Sequence, residues 1–574
     1  MSLRNPASTP EDYARAILSL SQRTSGVSVF PGDHYRDIVD WLISDRTIFN
    51  SRKEEGRGLI PSISEPAHDL VVVYNSRAGK WPVQRYSPRQ HDAFFATNTA
   101  SGDTAASETQ SATGEIVFIR GSISPSWLAA IGSKYSIDPE FFRRHMDFLI
   151  ANTLKHCYST PSLASSANNI HRLCVSTLIL RNVSGNQDVP WQRFDQSAEL
   201  AEYKRQQLRS KARCGDSIVR EYSTVCNSVS VVEQWISFCL TRSNGSWAII
   251  VWMDQGRPLE KSPPGPWTHH LEAEPVALPI LQHHHKMAFR TTTAHLDTDE
   301  NAKARIQQST AVLPLQYDSL IELVDLARQA PHDPLSMCIP LFAHAVYSEA
   351  QFLNLMESRI QEHMNGVAAG FVPSATLGTF QYFSTILSRH AQQLKDSNHA
   401  LRKLADHSVA LSGGVTAGIP TPSDGGTPGY DWKSAEDKTA NFLSFGAPGG
   451  PFTAKGLQED YDQLHARCAN LVNMCYKGMA LAMNVTAIEE SRKAIEQSGR
   501  VKKLTLLATL FIPLSFTSGL FGMNLNLLGQ SSVKWWWFFV LCIPITLFAY
   551  VFYLWDYDAL KGYINRLAKH SSFG

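Results

Sequence analysis

Two long stretches without a charged residue lie near the C-terminal end of this 574-residue chain. The first covers Leu504–Leu528, which is 25 residues, and the second covers Trp535–Trp555, which is 21. About 20 apolar residues in a helix cross the hydrocarbon core of a bilayer, so both stretches are long enough. Aromatic residues stand at both ends of the second stretch, as they do where a helix meets the two headgroup layers. The sequence therefore predicts transmembrane helices over 504–528 and 535–555, with an outer loop over 529–534.

The basic residues that flank these stretches predict their orientation. Cytoplasmic flanks carry the excess of Lys and Arg, and the residues between the two stretches hold only Lys534. Both chain ends should therefore lie in the cytoplasm. Glu11 and Asp12 are untypical of a mitochondrial transit peptide, so we expect an integral protein of the plasma membrane rather than of the mitochondrial inner membrane. The flanking basic residues are Arg492, Lys493, Arg500, Lys502, Lys503, Lys561, Arg566 and Lys569.

The composition excludes several classes of protein. Lys and Arg total 53 and Asp and Glu total 52. The chain therefore lacks the excess of positive charge that would indicate a nucleic-acid partner. The 9 cysteines form no CxxC pair, which favours reduced thiols in the cytosol over a disulfide framework. The chain holds no P-loop, no GxSxG and no HExxH motif. Neither an enzyme nor an organic cofactor is expected.

The first half of the chain has the pattern of a sheet-forming domain. After an N-terminal tail over 1–30, residues 31–315 hold apolar runs rich in β-branched side chains among helical segments, which predicts a cytosolic α/β domain. Residues 97–113 are nearly all small and polar, and we expect them to be a disordered insertion. The four clearest strand runs are Leu70–Tyr74, Ile116–Ile119, Leu173–Leu180 and Trp247–Trp252.

Long helices are predicted between this domain and the membrane. Residues 316–408 carry apolar side chains at helical spacing, and residues 409–452 are so rich in Gly and Pro that they predict a flexible loop. A stalk helix over 453–503 should then continue without interruption into the first membrane stretch. A cytoplasmic tail over 556–574 ends the chain. The apolar residues of the stalk follow the 4-3 spacing of a coiled helix, at Leu457, Tyr461, Leu464, Cys468, Leu471 and Cys475.

A pore through the membrane would need several copies of this chain, because two helices that leave and return cannot enclose one. The first membrane helix has a face suited to line such a pore, since seven uncharged residues fall within an arc of about 80° at 100° per residue. The same face, which narrows to small residues, would also suit plain helix packing in a membrane anchor. These seven residues, called the stripe below, are Val501, Leu504, Ala508, Ile512, Ser515, Gly519 and Gly522.

The outer end of the first membrane helix carries a short motif, Gly522-Met523-Asn524. In this position, the motif and the whole stretch Lys503–Asn524 resemble the first transmembrane helix of the CorA-type magnesium transporter family. A weaker match lies at Ser126–Phe148, where a helix should lead into an Asp138-Pro139 turn as in the cytosolic part of that family. The resemblance is strong over the two membrane stretches, and elsewhere it rests on the layout of the chain.

The resemblance implies a fold class and an activity. The fold would be an α/β cytosolic domain with long stalk helices and a two-helix transmembrane hairpin, assembled as a funnel of five identical chains. The activity would be the passage of divalent cations, above all Mg²⁺, with other copies of the chain and the lipid bilayer as its partners. Mg²⁺ would be the transported ion and also a regulatory ligand of the cytosolic part.

The resemblance also assigns roles to residues of the stripe and its outer end. Five copies of Asn524, beside Gly522 and Met523, would form the selectivity ring at the pore mouth. Mg²⁺ gives up its waters reluctantly, and amide oxygens accept hydrogen bonds from those waters without removing them. Carbonyl groups near Gly522 would extend that site. The constriction would be formed by Val501, Leu504 and Ile512, with a polar ring at Ser515.

Two features leave alternatives open. The outer loop Leu525–Lys534 contains no acidic residue that would attract cations, which keeps a non-conducting, membrane-anchored scaffold or sensor as the alternative function. The regulatory acids are not fixed by the sequence either. Five candidates are better explained as solvated surface residues than as regulatory ligands, namely Glu489, Glu490, Glu496, Asp297 and Asp299.

Overall fold

The computed structural model describes residues 9–44, 68–76, 81–96, 114–147, 169–182, 189–208, 213–243, 246–268, 273–282, 308–324, 334–413, 454–522 and 536–554. The chain forms two compact units. The first unit comprises Met1–Gly366 and Pro373–Met479, and the second comprises Val367–Val372 and Ala480–Gly574.

An eight-stranded mixed sheet forms the centre of the first unit, in the order β2-β1-β3-β7-β6-β4-β8. All pairings are antiparallel except that between β3 and β7, which are parallel neighbours. The fifth strand pairs with the first part of β6, beside the stretch that pairs with β7. The strands are β1 (Val71–Asn75), β2 (Val83–Tyr86), β3 (Gly114–Arg120), β4 (Ile170–Asn182), β5 (Glu221–Cys226), β6 (Val229–Ser243), β7 (Ser246–Met253) and β8 (Ala273–Ala277).

The central strands are those that the apolar runs predicted. Strands β1, β3 and β7 are almost entirely buried, because helices or other segments cover both faces of the sheet there. Such strands need no polar face, so they read as continuous Val, Ile and Phe runs that the sequence analysis could recognise. The predicted α/β domain is confirmed in this respect.

Short helices pack on this sheet. They are α1 (Pro10–Ser21), α2 (Arg36–Ser44), α3 (His91–Ala96), α4 (Pro125–Tyr135), α5 (Pro139–His145), α6 (Val189–Leu208) and α7 (Tyr317–Val324). The first of them lies in the stretch expected to be an N-terminal tail, and it is instead part of the core. Tyr13 and Ile17 are buried, and the Tyr13 hydroxyl donates to the carbonyl of Ile137 at 2.8 Å. A Cβ on Gly132 would lie 2.1 Å from the Tyr13 ring, so helices α1 and α4 are in close contact.

The predicted Asp-Pro turn is present between α4 and α5. Ser136 caps the end of α4 in the left-handed conformation with φ 50°. Asp138 then begins α5, where its carboxylate accepts from the Glu140 N–H at 2.9 Å and Pro139 occupies the first turn. Pro is favoured there because its missing N–H would have no partner in the first turn anyway.

Three long helices follow, at α8 (Ile339–Ala368), α9 (Thr376–Gly413) and α10 (Ala454–Gly522). The last is one uninterrupted helix of 69 residues, as the sequence predicted for the stalk and the first membrane stretch. All six residues of the predicted 4-3 series are buried, at 0–8% exposure, so this series is the face by which α10 packs in the first unit. A final helix, α11, covers Trp536–Leu554. The expected insertion at 97–113 and most of the Gly- and Pro-rich loop lie outside the described residues.

Candidate pore-lining helix

The C-terminal part of α10 has the surface of a membrane helix. Within Ala454–Leu520 lies the one described helix that is long and apolar enough to cross a bilayer, and only 11% of that apolar stretch is buried inside the chain. The apolar part of α11 described here, Trp536–Val551, is shorter. Large apolar side chains such as Leu504, Phe511 and Phe516 are 54–69% exposed. An apolar surface of this extent is rare on soluble monomers and fits hydrocarbon or other copies of the chain.

Three threonine hydroxyls of this stretch are satisfied within the helix. The hydroxyls of Thr505, Thr509 and Thr517 donate to the carbonyls of Val501, Thr505 and Pro513 at 2.8–2.9 Å. This arrangement suits a helix in hydrocarbon, where an unpaired hydroxyl would be costly. The Ser515 hydroxyl, by contrast, makes no hydrogen bond within the described residues. It remains available to a hydrated ion or to another chain.

The stripe lies on the side of α10 that its own unit does not cover. Pro513 and Thr517 are buried, whereas all six described side chains of the stripe are exposed, from Val501 to Gly519. At 100° per residue, the centre of the stripe is roughly 160° around the helix from Pro513 and Thr517. Contacts within the second unit therefore leave the stripe open for contacts with other copies of the chain.

The outer end of the pore helix is described only in part. Gly522 is the last residue of α10. Met523, Asn524 and the outer loop lie outside the described residues, so the proposed selectivity ring stays a prediction from the sequence.

The candidate regulatory acids on α10 lie at different angles around the helix. Glu489, Glu490 and Glu496 are all exposed. Glu490 lies in the same angular sector as the stripe, three turns before Val501, whereas Glu489 and Glu496 lie roughly 100–120° away. Asp297 and Asp299 lie outside the described residues. Among the described residues, no group of three or more His, Cys, Asp or Glu side chains is arranged to hold a metal ion.

A buried ionic cluster that no sequence pattern had predicted lies in the first unit. Glu233 of β6, Glu349 of α8 and the α9 residues Arg389 and His390 form this cluster, called the sheet–helix cluster below. The His390 ring lies 3.0 Å from Glu349 and 3.2 Å from Glu233, and Arg389 also pairs with Glu233. Burial alone would lower the pKa of His390, but the two carboxylates raise it to about 10. The cluster therefore joins the sheet to two long helices with balanced charge.

A signal for this cluster exists in the sequence. Glu233 and Gln234 interrupt the apolar run Val229–Phe238, and that interruption is why β6 escaped recognition as a strand. A charged residue in the middle of an apolar strand is rarely tolerated without a buried partner. The identity of that partner, 157 positions away, follows only from the fold.

A second buried pair stabilises the same sheet. Arg220 donates two hydrogen bonds of 2.7 Å to the Asp254 carboxylate, and its guanidinium lies 4.0 Å from the centre of the Trp235 ring. His145 lies 3.1 Å from the same carboxylate, yet its pKa is about 4 because burial outweighs the attraction of Asp254. Arg220 also donates to the carboxylate of Asp147 at 2.9 Å, so its guanidinium pairs with two carboxylates.

Comparison with known families separates the two parts of the chain. Residues 446–555, which include all of α10 and all of α11, match the family model of the CorA-like Mg²⁺ transporter protein. The C-terminal part of this chain is CorA-like. The resemblance inferred from Lys503–Asn524 is thus confirmed for this part, while the Gly-Met-Asn motif is not tested by the match.

Two solved structures match this chain at low similarity. The complete structure of the CorA magnesium transporter from Methanocaldococcus jannaschii matches at 10% identity and a TM-score of 0.28, over 85% of this chain and 98% of the transporter. The full-length CmaX protein matches at 11% identity and the same TM-score, over 86% and 98%. No curated protein matches the chain by sequence.

Proposed function

We propose that this chain is the subunit of a divalent cation channel, with Mg²⁺ as the preferred ion. The observation that carries the proposal is the open stripe on α10, which faces away from the buried side of its own unit within a segment that is CorA-like. A stripe without charges, lined by small and apolar side chains, suits the wall of a narrow pore made by several copies.

The proposed route begins at the outer end of α10. Copies of Asn524 would hold the waters of an arriving ion, and the ion would then pass Gly519 and Ser515 before the constriction at Ile512 and Leu504. Hydrated Mg²⁺ needs oxygen acceptors for its waters rather than tight ligands, and the amide and hydroxyl groups provide them. Five chains per pore is the number that the family resemblance implies.

The proposed transport is passive. The apolar stretches of α10 and α11 contain no Asp, Glu, Lys, Arg or His, which proton-coupled carriers use inside the membrane. A channel that conducts down the ion gradient needs none of them. We further propose a plasma-membrane location with both chain ends in the cytoplasm, based on the distribution of Lys and Arg.

The acid-free outer loop favours the second candidate function. Without carboxylates between 525 and 534, no fixed negative charge concentrates cations at the mouth, and Lys534 repels them. A membrane-anchored scaffold or sensor that does not conduct would share every other feature of the C-terminal part. Transport must therefore be measured directly.

The test is Mg²⁺ entry into liposomes that hold the purified full-length protein and a Mg²⁺-sensitive dye. We expect entry well above that of protein-free liposomes. Ala508→Phe puts a ring of large side chains into the stripe and should reduce the flux by more than tenfold. The matched variant Leu510→Phe lies roughly 160° away around the helix and should conduct normally. Absence of flux in the wild-type protein would favour the scaffold, and equal flux in both variants would refute the assignment of the stripe.

A further inference from the structure

A second site is indicated at the edge of the sheet where β3 and β7 end. These strands are parallel neighbours, so their carboxyl ends lie side by side. Ligands of open α/β sheets bind outside the carboxyl ends of such strands. Three glycine-containing loops meet there: Gly121 follows β3, Gly256 follows β7, and Gly215 lies before β5. A Cβ on Gly256 would lie 2.1 Å from the carbonyl oxygen of Gly215, so these backbones are in direct contact.

A polar cavity of about 70 Å³ lies beside these loops. It is several times larger than the roughly 10–15 Å³ that one water molecule needs. Most of its lining side chains carry hydrogen-bonding groups, and two of them are arginines. The lining residues are His68, Arg120, Ser217, Gln255, Gly256, Arg257, Pro258, Gln308 and Ala311.

Arg120 is the decisive residue of this cavity. Its side chain is 6% exposed, and among the residues that the structure describes it donates only to the backbone carbonyls of Asp69 at 3.0 Å and Ala311 at 3.2 Å. Its Nε has no hydrogen-bond partner, and within the described residues no carboxylate lies within 4.0 Å of its guanidinium. A buried cation without a counter-charge is strongly unfavourable, and proteins nearly always supply one.

Other unpartnered polar atoms surround the same cavity. Gln308 is 4% exposed and Gln255 is 1% exposed, yet within the described part of the chain Gln308 Nε2 and Gln255 Oε1 lack a hydrogen-bond partner, as does Nε2 of His68. Buried polar groups are satisfied in the great majority of proteins, so several orphans around one cavity indicate an occupant with hydrogen-bonding atoms of its own.

The charges near the cavity indicate the sign of that occupant. Arg257 lies 3.8 Å from the carboxylate of Asp216, and the carboxylate of Asp69 lies 3.6 Å from Arg85. Asp69 also attracts Arg120 electrostatically, so two carboxylates, Asp69 and Asp216, face the three arginines Arg85, Arg120 and Arg257. Burial and the two cavity arginines lower the pKa of His68 to about 4, so this ring adds no positive charge at neutral pH. The balance leaves one unmatched positive charge, which an anion would neutralise.

We propose that this cavity binds a phosphate oxyanion, either as free inorganic phosphate or as the phosphate group of a nucleotide. A tetrahedral oxyanion offers several acceptors at once. It would take hydrogen bonds from Nε of Arg120 and Nε2 of Gln308, beside the charge of Arg257. The small side chains of the glycine loops allow it to lie close to the ends of β3 and β7. This site lies in the first unit and does not depend on the proposed channel activity.

The test is isothermal titration of the full-length protein in detergent, in a buffer without phosphate or sulfate. We expect saturable binding of inorganic phosphate or of ATP, and a higher melting temperature in its presence. Arg120→Met keeps the volume of the side chain and removes the charge, so affinity should fall roughly 10- to 100-fold. The matched variant Arg242→Met removes an exposed arginine of the same sheet and should bind normally.

A second cavity variant keeps the test valid if Arg120→Met does not fold. Gln308→Met leaves every charge in place and should weaken binding by a smaller factor than Arg120→Met. Much tighter binding of ATP than of inorganic phosphate would identify a nucleotide as the source, and equal binding would identify the free ion. The proposal is overturned if the wild-type protein binds neither at 10 mM, on the order of the weakest useful affinities. It is also overturned if folded Arg120→Met binds as the wild type does.

Discussion

At the scale of single residues, Asn524 has the most specific expected role. If its amide oxygen holds the waters of an entering ion, Asn524→Ala removes that acceptor from every copy at once. Each lost hydrogen bond contributes on the order of 1 kcal/mol, so several together should reduce Mg²⁺ flux by orders of magnitude. Asn also suits a helix end because it tolerates the left-handed conformation, and Gly would replace it in that role. We therefore expect Asn524→Gly to fail as badly as Asn524→Ala. Normal flux through the Gly variant in the liposome assay would exclude an ion-selecting side chain.

Two neighbouring glutamates allow a sharper test of the pore axis. Glu490 falls in the sector of the stripe and Glu489 lies about 100° away, although both are exposed on the same helix. If several copies of α10 surround a pore, copies of Glu490 face its cytosolic entrance and attract cations there. Glu490→Gln should lower Mg²⁺ conductance several-fold, most clearly at low ionic strength, while Glu489→Gln should leave it unchanged. The pore model fails here if single-channel recordings show the two variants to be equivalent.

At the scale of elements, the sequence predicted whatever rests on local periodicity. The apolar runs of β1, β3, β4 and β7, and the 4-3 series of α10, are repeated locally and are visible without a partner. Strand β6 was missed because Glu233 and Gln234 break its apolar pattern. Helix α1 was missed because the role of its apolar residues, such as Tyr13 and Ile17, is evident only from their packing against α4. In both cases the missing information is a contact between positions far apart in the chain.

The sheet–helix cluster should govern the stability of the first unit between the sheet and α9. The pKa of His390 is about 10 in the folded chain against 6.5 ordinarily, so its contribution is complete below pH 6.5 and is lost as pH rises through 10. His390 and Arg389 overcome the effect of burial and lower the pKa of Glu233 to about 2 from 4.5, so its contribution is complete above pH 4.5 and is lost as pH falls through 2. We expect the melting temperature, followed by tryptophan fluorescence, to fall between pH 6.5 and 10. In the His390→Gln variant, most of this decrease of the melting temperature should be absent.

Removal of one carboxylate from this cluster should have a larger effect than removal of any surface charge nearby. Glu233→Gln leaves buried positive charge with one carboxylate fewer, which should cost about 3–5 kcal/mol in the free energy of unfolding. Arg402→Gln is the control variant. Arg402 lies on α9, the helix that carries His390, and its pair with Asp462 is more than half exposed. Exposed pairs contribute about 0–1 kcal/mol. Similar melting temperatures for the two variants would show that the cluster does not stabilise the first unit as we infer.

At the scale of the whole molecule, some features can be predicted from the sequence of one chain, whereas others depend on several copies or on the folded structure. The membrane stretches, their orientation and the stripe are predictions from composition and helical period, which are properties of one chain. The proposed selectivity ring is of another kind, because it would exist only where several copies of residue 524 meet. The phosphate cavity escaped the sequence analysis for the same kind of reason. His68, Arg120, Arg257 and Gln308 lie on segments up to 240 positions apart, and only the folded chain brings them together near the ends of β3 and β7.

Assembly is the property on which the proposed function depends. Helices α10 and α11 of one chain cannot enclose a pore, and the exposed stripe would otherwise place a band of small and apolar residues against lipid with no partner. Closed symmetry around an axis would bury the stripe of every copy equally. We therefore expect the protein, extracted in a mild detergent, to show by light scattering a protein mass five times that of one chain, unchanged on tenfold dilution. Ile512→Asp would bring five carboxylates together at the constriction, and their mutual repulsion should shift the protein towards smaller species. The matched variant Leu510→Asp places its charge on the other side of the helix and should keep the assembly. A wild-type protein of single-chain mass would leave the membrane-anchored scaffold as the function of this chain.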